Sequence, residues 1–233
     1  MPISTGCHHR FIPRELVRRA LLLPPPANRW HYSTTNHIVA GLLIEKVTSR
    51  PAETEISHRI INPLKLHDTY WPGNSEHIRG RHSRSYFTTE RNGTAVRVDG
   101  TEWNTSAGGT GGALISTPRD VNTFFAALLK GRLLSPQRLA EMLDTVQGDP
   151  KRLGADGRYG LGLITSPLSC GGRLTGHTGS TRAGHHTVGA VGPDGRQVTV
   201  VVNETPVTEE SATAVLAVVD KALCAKAGSA RRP

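Results

Sequence analysis

Hydrophobic positions fall at helical spacing through the first two thirds of the chain and in alternating or continuous short runs near its end. Pro13 to Leu23 carries Leu16, Val17 and Leu21 on one side. A proline in its first turn and Pro24-Pro25-Pro26 behind it predict a short helix with both ends marked. From Asn36 the spacing of Ile38, Leu42, Leu43 and Val47 predicts a buried helix to about Thr48, and Pro51 to Ile61 predicts another short one. Tyr32 is thereby placed on the loop entering a buried helix.

Asn62 to about Gly109 is rich in Pro, Gly, Thr, Asn and charge, which predicts long loops with one short hairpin around Ser85 to Arg97. Thr117 as cap and Pro118 behind it open a helix to Leu129, with Val121, Phe124, Phe125 and Leu128 on its apolar face and Gly131 ending it. Ser135 caps a second helix, Pro136 to about Thr145, and the polar stretch Gln147 to Arg158 reads as loop. Arg173 to His177, Gly184 to Val191 and Gln197 to Asn203 read as three strands, the last two joined by Pro193-Asp194-Gly195. Glu209 to about Cys224 repeats Val215, Val218, Val219, Ala222 and Leu223 as a closing amphipathic helix. The chain divides at about residue 110 into a helical and loop region and a region of helices, a three-strand antiparallel meander and one helix. A sheet this thin has an open edge and a poorly covered face, so strands from elsewhere are expected to complete it.

Composition narrows the function classes. An apolar content of 36% over 233 residues suffices for a core. The net charge of +9 is scattered, with only Arg79 to Arg84 and the tail Arg231-Arg232-Pro233 as small clusters, and aromatics are 5%. That pattern argues against nucleic-acid binding. No run of about eighteen apolar residues and no apolar leader after Met1 is present, so no membrane span is expected. Cys7, Cys170 and Cys224 lack structural-zinc spacing and offer at most one disulfide. The histidines at 8 and 9, 77 to 82, and 185 and 186 form no metal motif, so neither metal nor cofactor is expected.

His177-Thr178-Gly179 at the end of a strand is short, but its surroundings are specific. The string Leu168 to Gly184, followed by strand, Asp-Gly turn, strand and capped helix, resembles the C-terminal end of serine-type D-alanyl-D-alanine carboxypeptidases and class C β-lactamase-like proteins. Tyr32 to Thr48, Asn62 to Tyr70, Gly111 to Leu129 and Tyr159 to Leu163 resemble the same family in the same order, over about Arg10 to Cys224. The resemblance implies an α/β (α+β) fold: one β-lactamase/transpeptidase-like domain with an antiparallel sheet flanked by helices and a helical lobe. It also implies a secreted, monomeric protein that acts through an acyl-enzyme on D-Ala-D-Ala peptides or β-lactams. By the same likeness Tyr32 is the catalytic tyrosine, His177 takes the third basic position and Thr178 meets the substrate carboxylate. Gly179 gives room to the ligand, the Ser180 amide is one oxyanion donor, and Trp103 lines the pocket. A disulfide between Cys170 and Cys224 also fits the resemblance; reduced thiols fit the residues alone equally well.

Three departures shape the expectation. No serine is followed three residues later by lysine, Ser135-Pro136-Gln137-Arg138 carrying arginine there, so the family's nucleophile, with its strands and helix, is expected to be missing from an N-terminally truncated chain. The tyrosine motif reads Tyr32-Ser33-Thr34, and the threonine lacks the paired donor and acceptor of an asparagine. Ile164-Thr165-Ser166 stands where related carboxypeptidases can carry an arginine for the terminal carboxylate. A chain inactive by itself is expected, with a non-catalytic module binding peptidoglycan or penicillin as the alternative. Without a visible leader, Met1 as the true start would imply a cytoplasmic location.

Overall fold

The computed structural model describes residues 9–24 and 30–225. Cys7, His8, Pro25, Pro26 and the tail Arg231-Arg232-Pro233 lie outside the described residues. Helix α1 (Pro13–Ala20) has Glu15 in its first turn and Arg18 and Arg19 in its last, each sign at the end that the helix dipole favours. It stops short of the predicted Leu23, and Leu21, Leu22 and Leu23 stand exposed beyond it. Helix α2 (Thr34–Thr48) crosses the 3-10 helix Thr105–Gly111 closely, because Gly41 has no side chain at the crossing. A Cβ there would lie 2.4 Å from Thr110 Oγ1, and that hydroxyl donates to the His37 carbonyl at 2.6 Å.

The buried helix predicted around Ile38 needs correction. Ile38 and Gly41 are buried, but Val39, Leu43 and Val47 are 47%, 61% and 74% exposed. Apolar residues occur all round α2, while α1, the 3-10 helix and helix α3 (Ala52–Ile56) pack against it on part of its surface. Helix α3 continues into a π-helical turn, Ser57–Ile61, which accounts for the predicted Pro51 to Ile61 helix. Strands β1 (Tyr86–Arg91) and β2 (Thr94–Asp99) form the predicted hairpin. Asn92 and Gly93 turn it with positive φ of 51° and 74°. Helices α4 (Pro118–Leu129) and α5 (Pro136–Leu143) start at Thr117 and Ser135, whose hydroxyls accept the Asp120 and Arg138 amide N–H groups.

The main sheet has six strands rather than three. Its order is β3 (Val146–Gln147), β4 (Arg158–Tyr159), β5 (Ile164–Pro167), β6 (Arg173–Ser180), β7 (His186–Val191) and β8 (Gln197–Val202), every pair antiparallel. A four-residue helix, α6 (Pro150–Leu153), lies between β3 and β4 in what reads from sequence as loop. Both faces of the sheet are covered, another departure from expectation. Val188 and Ala190 of β7 meet Val215, Val219 and Leu223 of helix α7 (Glu209–Cys224). Across the sheet, Gly189 faces Val121 and Phe125 of α4, and Val191 packs with Phe125 and Leu128. Each buried aliphatic side chain in these layers contributes roughly 1.5–3 kcal/mol. Strand β8 has no partner on its outer side among the described residues.

A disulfide joins Cys170, just before β6, to Cys224 at the end of α7, with Cα atoms 5.7 Å apart and a separation of 54 positions in sequence. Beside it the Ser169 amide and hydroxyl donate to the two carboxylate oxygens of Asp220 at 2.8 and 2.5 Å. Those bonds hold the Asp220 carboxyl below its ordinary range. Among the described residues no helix is long and apolar enough to cross a membrane, and no three His, Cys, Asp or Glu side chains are grouped to hold a metal ion.

Candidate active site

Strand alternation sets what β6 presents. His177 pairs with Gly189 and Gly179 with Thr187, placing both on the α4 face, while Thr178 pairs with Val188 and Ser180 with His186 on the opposite face. Ser180 Oγ lies 2.7 Å from His186 Nδ1, so that hydroxyl is engaged away from His177. A side chain added at Gly179 would meet no heavy atom within 4 Å, so open space lies directly beside the imidazole's strand.

His177 Nδ1 lies 2.6 Å from the Thr178 carbonyl oxygen, which can only accept, so Nδ1 carries the proton. Nε2, then an acceptor, lies 3.2 Å from the Tyr159 hydroxyl. Burial is the largest influence pushing the imidazole's pKa below its ordinary 6.5, with smaller contributions in the same direction from His37 and Arg152; the bond to Thr178 opposes them. Tyr159 is pushed up to about 12, first by burial and then by Tyr32, with Arg152 opposing. Near neutral pH the pair is therefore a neutral imidazole accepting from an intact phenol. The position expected to be basic carries no charge there.

Tyr32 closes the cluster. Its ring centroid is 5.9 Å from that of His177, 6.0 Å from that of Tyr159 and 6.0 Å from that of His37. The Trp30 ring lies against Tyr159, tilted by 49° with centroids 5.1 Å apart. Over the Tyr32 ring lies the Arg152 guanidinium carbon, 4.1 Å from the centroid. The structure thus gathers two tyrosines, two histidines, a tryptophan and an arginine around the open side of β6. Tyr32 and His177 are the sequence candidates among them; Tyr159 is also visible in sequence, within the quoted stretch Tyr159 to Leu163, while Arg152 falls in a stretch read as polar loop.

Other candidates lie elsewhere. Thr34 begins α2 exposed, with its methyl group against Gly111. Trp103 lines a cavity of about 1130 Å³ whose walls include His67, Ile78, His185 and Val201, and which none of Tyr32, Tyr159, His177 or Gly179 lines. The Trp103 side chain therefore belongs to the region between the hairpin loops and β8, a consequence of its backbone N–H being held by the Glu76 carbonyl at 3.2 Å.

The family model described as Beta-lactamase matches residues 11–222, nearly the whole fold just described. The chain belongs to this family. A D-stereospecific amidohydrolase from Streptomyces sp. is 35% identical with a TM-score of 0.84; the match covers 96% of this chain and 64% of that one. A D-amino acid amidase from Ochrobactrum anthropi SV3 is 25% identical with a TM-score of 0.77, again over 96% and 64%. The octameric penicillin-binding protein homologue from Pyrococcus abyssi, 23% identical over 94% of this chain and 48% of that one with a TM-score of 0.68, shares the fold. The chain thus spans slightly less than two thirds of the length of the two amide hydrolases.

Proposed function

We propose that this chain forms one wall of an acyl-transfer site for D-configured amino-acid derivatives, and that it does not turn such substrates over by itself. The observation that carries the proposal is the Tyr32, Tyr159 and His177 cluster beside the open space at Gly179. In this family's chemistry a serine attacks an acyl carbonyl and water later releases the acyl group. Tyr32 would pass the proton between nucleophile and leaving group, while the His177 and Tyr159 pair would hold the leaving-group side through a neutral, oriented hydrogen bond. The Ser180 amide would donate to the oxyanion, and Gly179 would let the acyl chain lie along β6. The serine nucleophile with lysine three residues on is not in this sequence.

The likeness to a D-stereospecific amidohydrolase and a D-amino acid amidase supports D-amino-acid amides as the ligand class ahead of the D-alanyl-D-alanine peptides and β-lactams implied by the first resemblance. The Cys170 and Cys224 bridge supports function in an oxidising compartment. Ligand-observed NMR with D- and L-phenylalaninamide, alongside exposure to a fluorescent penicillin, tests the proposal. Selective binding of the D form without turnover and without covalent label is expected. Equal binding of both enantiomers overturns the D-selective wall, and covalent label on this chain overturns the missing nucleophile.

A further inference from the structure

Arg152 has features that the wall just described does not use. It stands on the short helix α6, which is set between β3 and β4 by the Asp149 carboxylate accepting the Lys151 N–H at 3.0 Å. Its guanidinium lies over the face of Tyr32, 4.1 Å from the ring centroid, on the same cluster as Tyr159 and His177. Among the described residues no carboxylate pairs with it, although other exposed arginines in this chain do find one, as Arg138 does with Glu141 and Arg84 with Asp99. The aromatic face fixes the plane of the guanidinium while leaving its N–H edge available. With His177 neutral, Arg152 is the positive charge placed over the cluster.

We infer that Arg152 is a specificity-determining residue that receives a carboxylate of the substrate at the Tyr32 edge of the site. This inference rests on the proposed wall and narrows its ligand from D-amino-acid derivatives in general to those bearing an anionic group. A planar guanidinium accepts a carboxylate through two parallel hydrogen bonds, and a neutral primary amide cannot present the same pair of acceptors. The arrangement disfavours a substrate whose only charge is a free ammonium group near Arg152.

Three matched amide probes test this by ligand-observed NMR on the chain: N-succinyl-D-phenylalaninamide, which carries a carboxylate away from the amide, N-acetyl-D-phenylalaninamide and D-phenylalaninamide. The expected order is carboxylate tightest by at least about tenfold over the neutral amide, with the cationic amide weakest, and the preference shrinking as salt is raised. Arg152→Met removes the charge while keeping an unbranched side chain on α6 and should bring the carboxylate and neutral amide within about twofold of each other, with an unchanged thermal midpoint. Arg152→Lys should retain part of the preference, since the charge remains without the planar fork. Equal binding of carboxylate and neutral amide to the unaltered chain overturns the role of Arg152 while leaving the wall intact. A carboxylate preference that survives Arg152→Met overturns it too, and failure of all three probes to bind overturns both readings.

Discussion

Replacing Cys170 and Cys224 together by alanine removes a covalent tie between the start of β6 and the end of α7. The closed loop of 54 residues restricts the unfolded chain by about 14 cal/mol/K, which is ~4 kcal/mol at 25 °C. The folded state should change little, because Val215, Val219 and Leu223 still pack on β7 and the Ser169 bonds to Asp220 remain. Urea unfolding of the oxidised protein and the double variant should therefore show a somewhat steeper slope for the variant, whose unfolded chain is less restricted, and a midpoint lowered by about 1.5–2 M, given a slope near 2–3 kcal/mol/M. A thiol count under denaturing, non-reducing conditions supplies the control: one of the three cysteines, Cys7, should react. A stability loss below about 1 kcal/mol, or three reactive thiols, refutes the reasoning.

Two glycines on β6 should respond oppositely to alanine. Gly179→Ala should leave the thermal midpoint unchanged yet weaken binding of N-acetyl-D-phenylalaninamide, because the added methyl enters open space; equally strong binding would show that ligand does not lie there. Gly176→Ala should destabilise by ~3 kcal/mol, since its Cβ would fall 1.9 Å from the Gly189 carbonyl oxygen, and a denaturation curve matching the parent would contradict that packing. Acidification gives a further check. His177, His185 and His186 all have pKa values held by burial below the ordinary 6.5, so between that value and each folded pKa the unfolded chain binds more protons than the native one. Stability should then rise with pH through this window and fall as pH drops below about 6.5, with part of the slope removed by His177→Gln. A thermal midpoint flat between about pH 7.5 and 5 would count against these half-buried neutral imidazoles.

Elements with strong local signals were legible in the sequence. Thr117-Pro118, Ser135-Pro136 and the heptad-like valines of α7 mark helices whose observed limits fall within two residues of expectation. The β7 and β8 strands are long enough for their apolar character to show around the Asp194-Gly195 turn. The strands β3 and β4 are two residues each, too short for any periodicity, and they pair only because β5 supplies a template. That hid the wider sheet. The exposure of Leu43 and Val47 was equally hidden, because an apolar residue declares its chemistry and not whether a neighbour covers it. In the site, Tyr32 and His177 came from motif resemblance. Arg152 came from a polar segment whose composition reads as solvated loop, and only the path from β3 to β4 brings it over Tyr32. The likeness implies Trp103 in the pocket, whereas in the fold it lines another cavity, its backbone N–H held by the Glu76 carbonyl.

The position of β6 inside the sheet has a consequence for how the molecule opens. It is hydrogen-bonded on both sides, to β5 and β7, whereas among the described residues β8 is bonded on one. Amide exchange should follow that gradient: alternate N–H groups of β8 trade with solvent almost at once, while those of β6 wait for opening of the surrounding sheet. His177 is consequently carried on a segment whose local free energy of opening is set by two neighbours. Fluctuations at the β8 edge can run their course without disturbing the His177 ring and its bond to Tyr159.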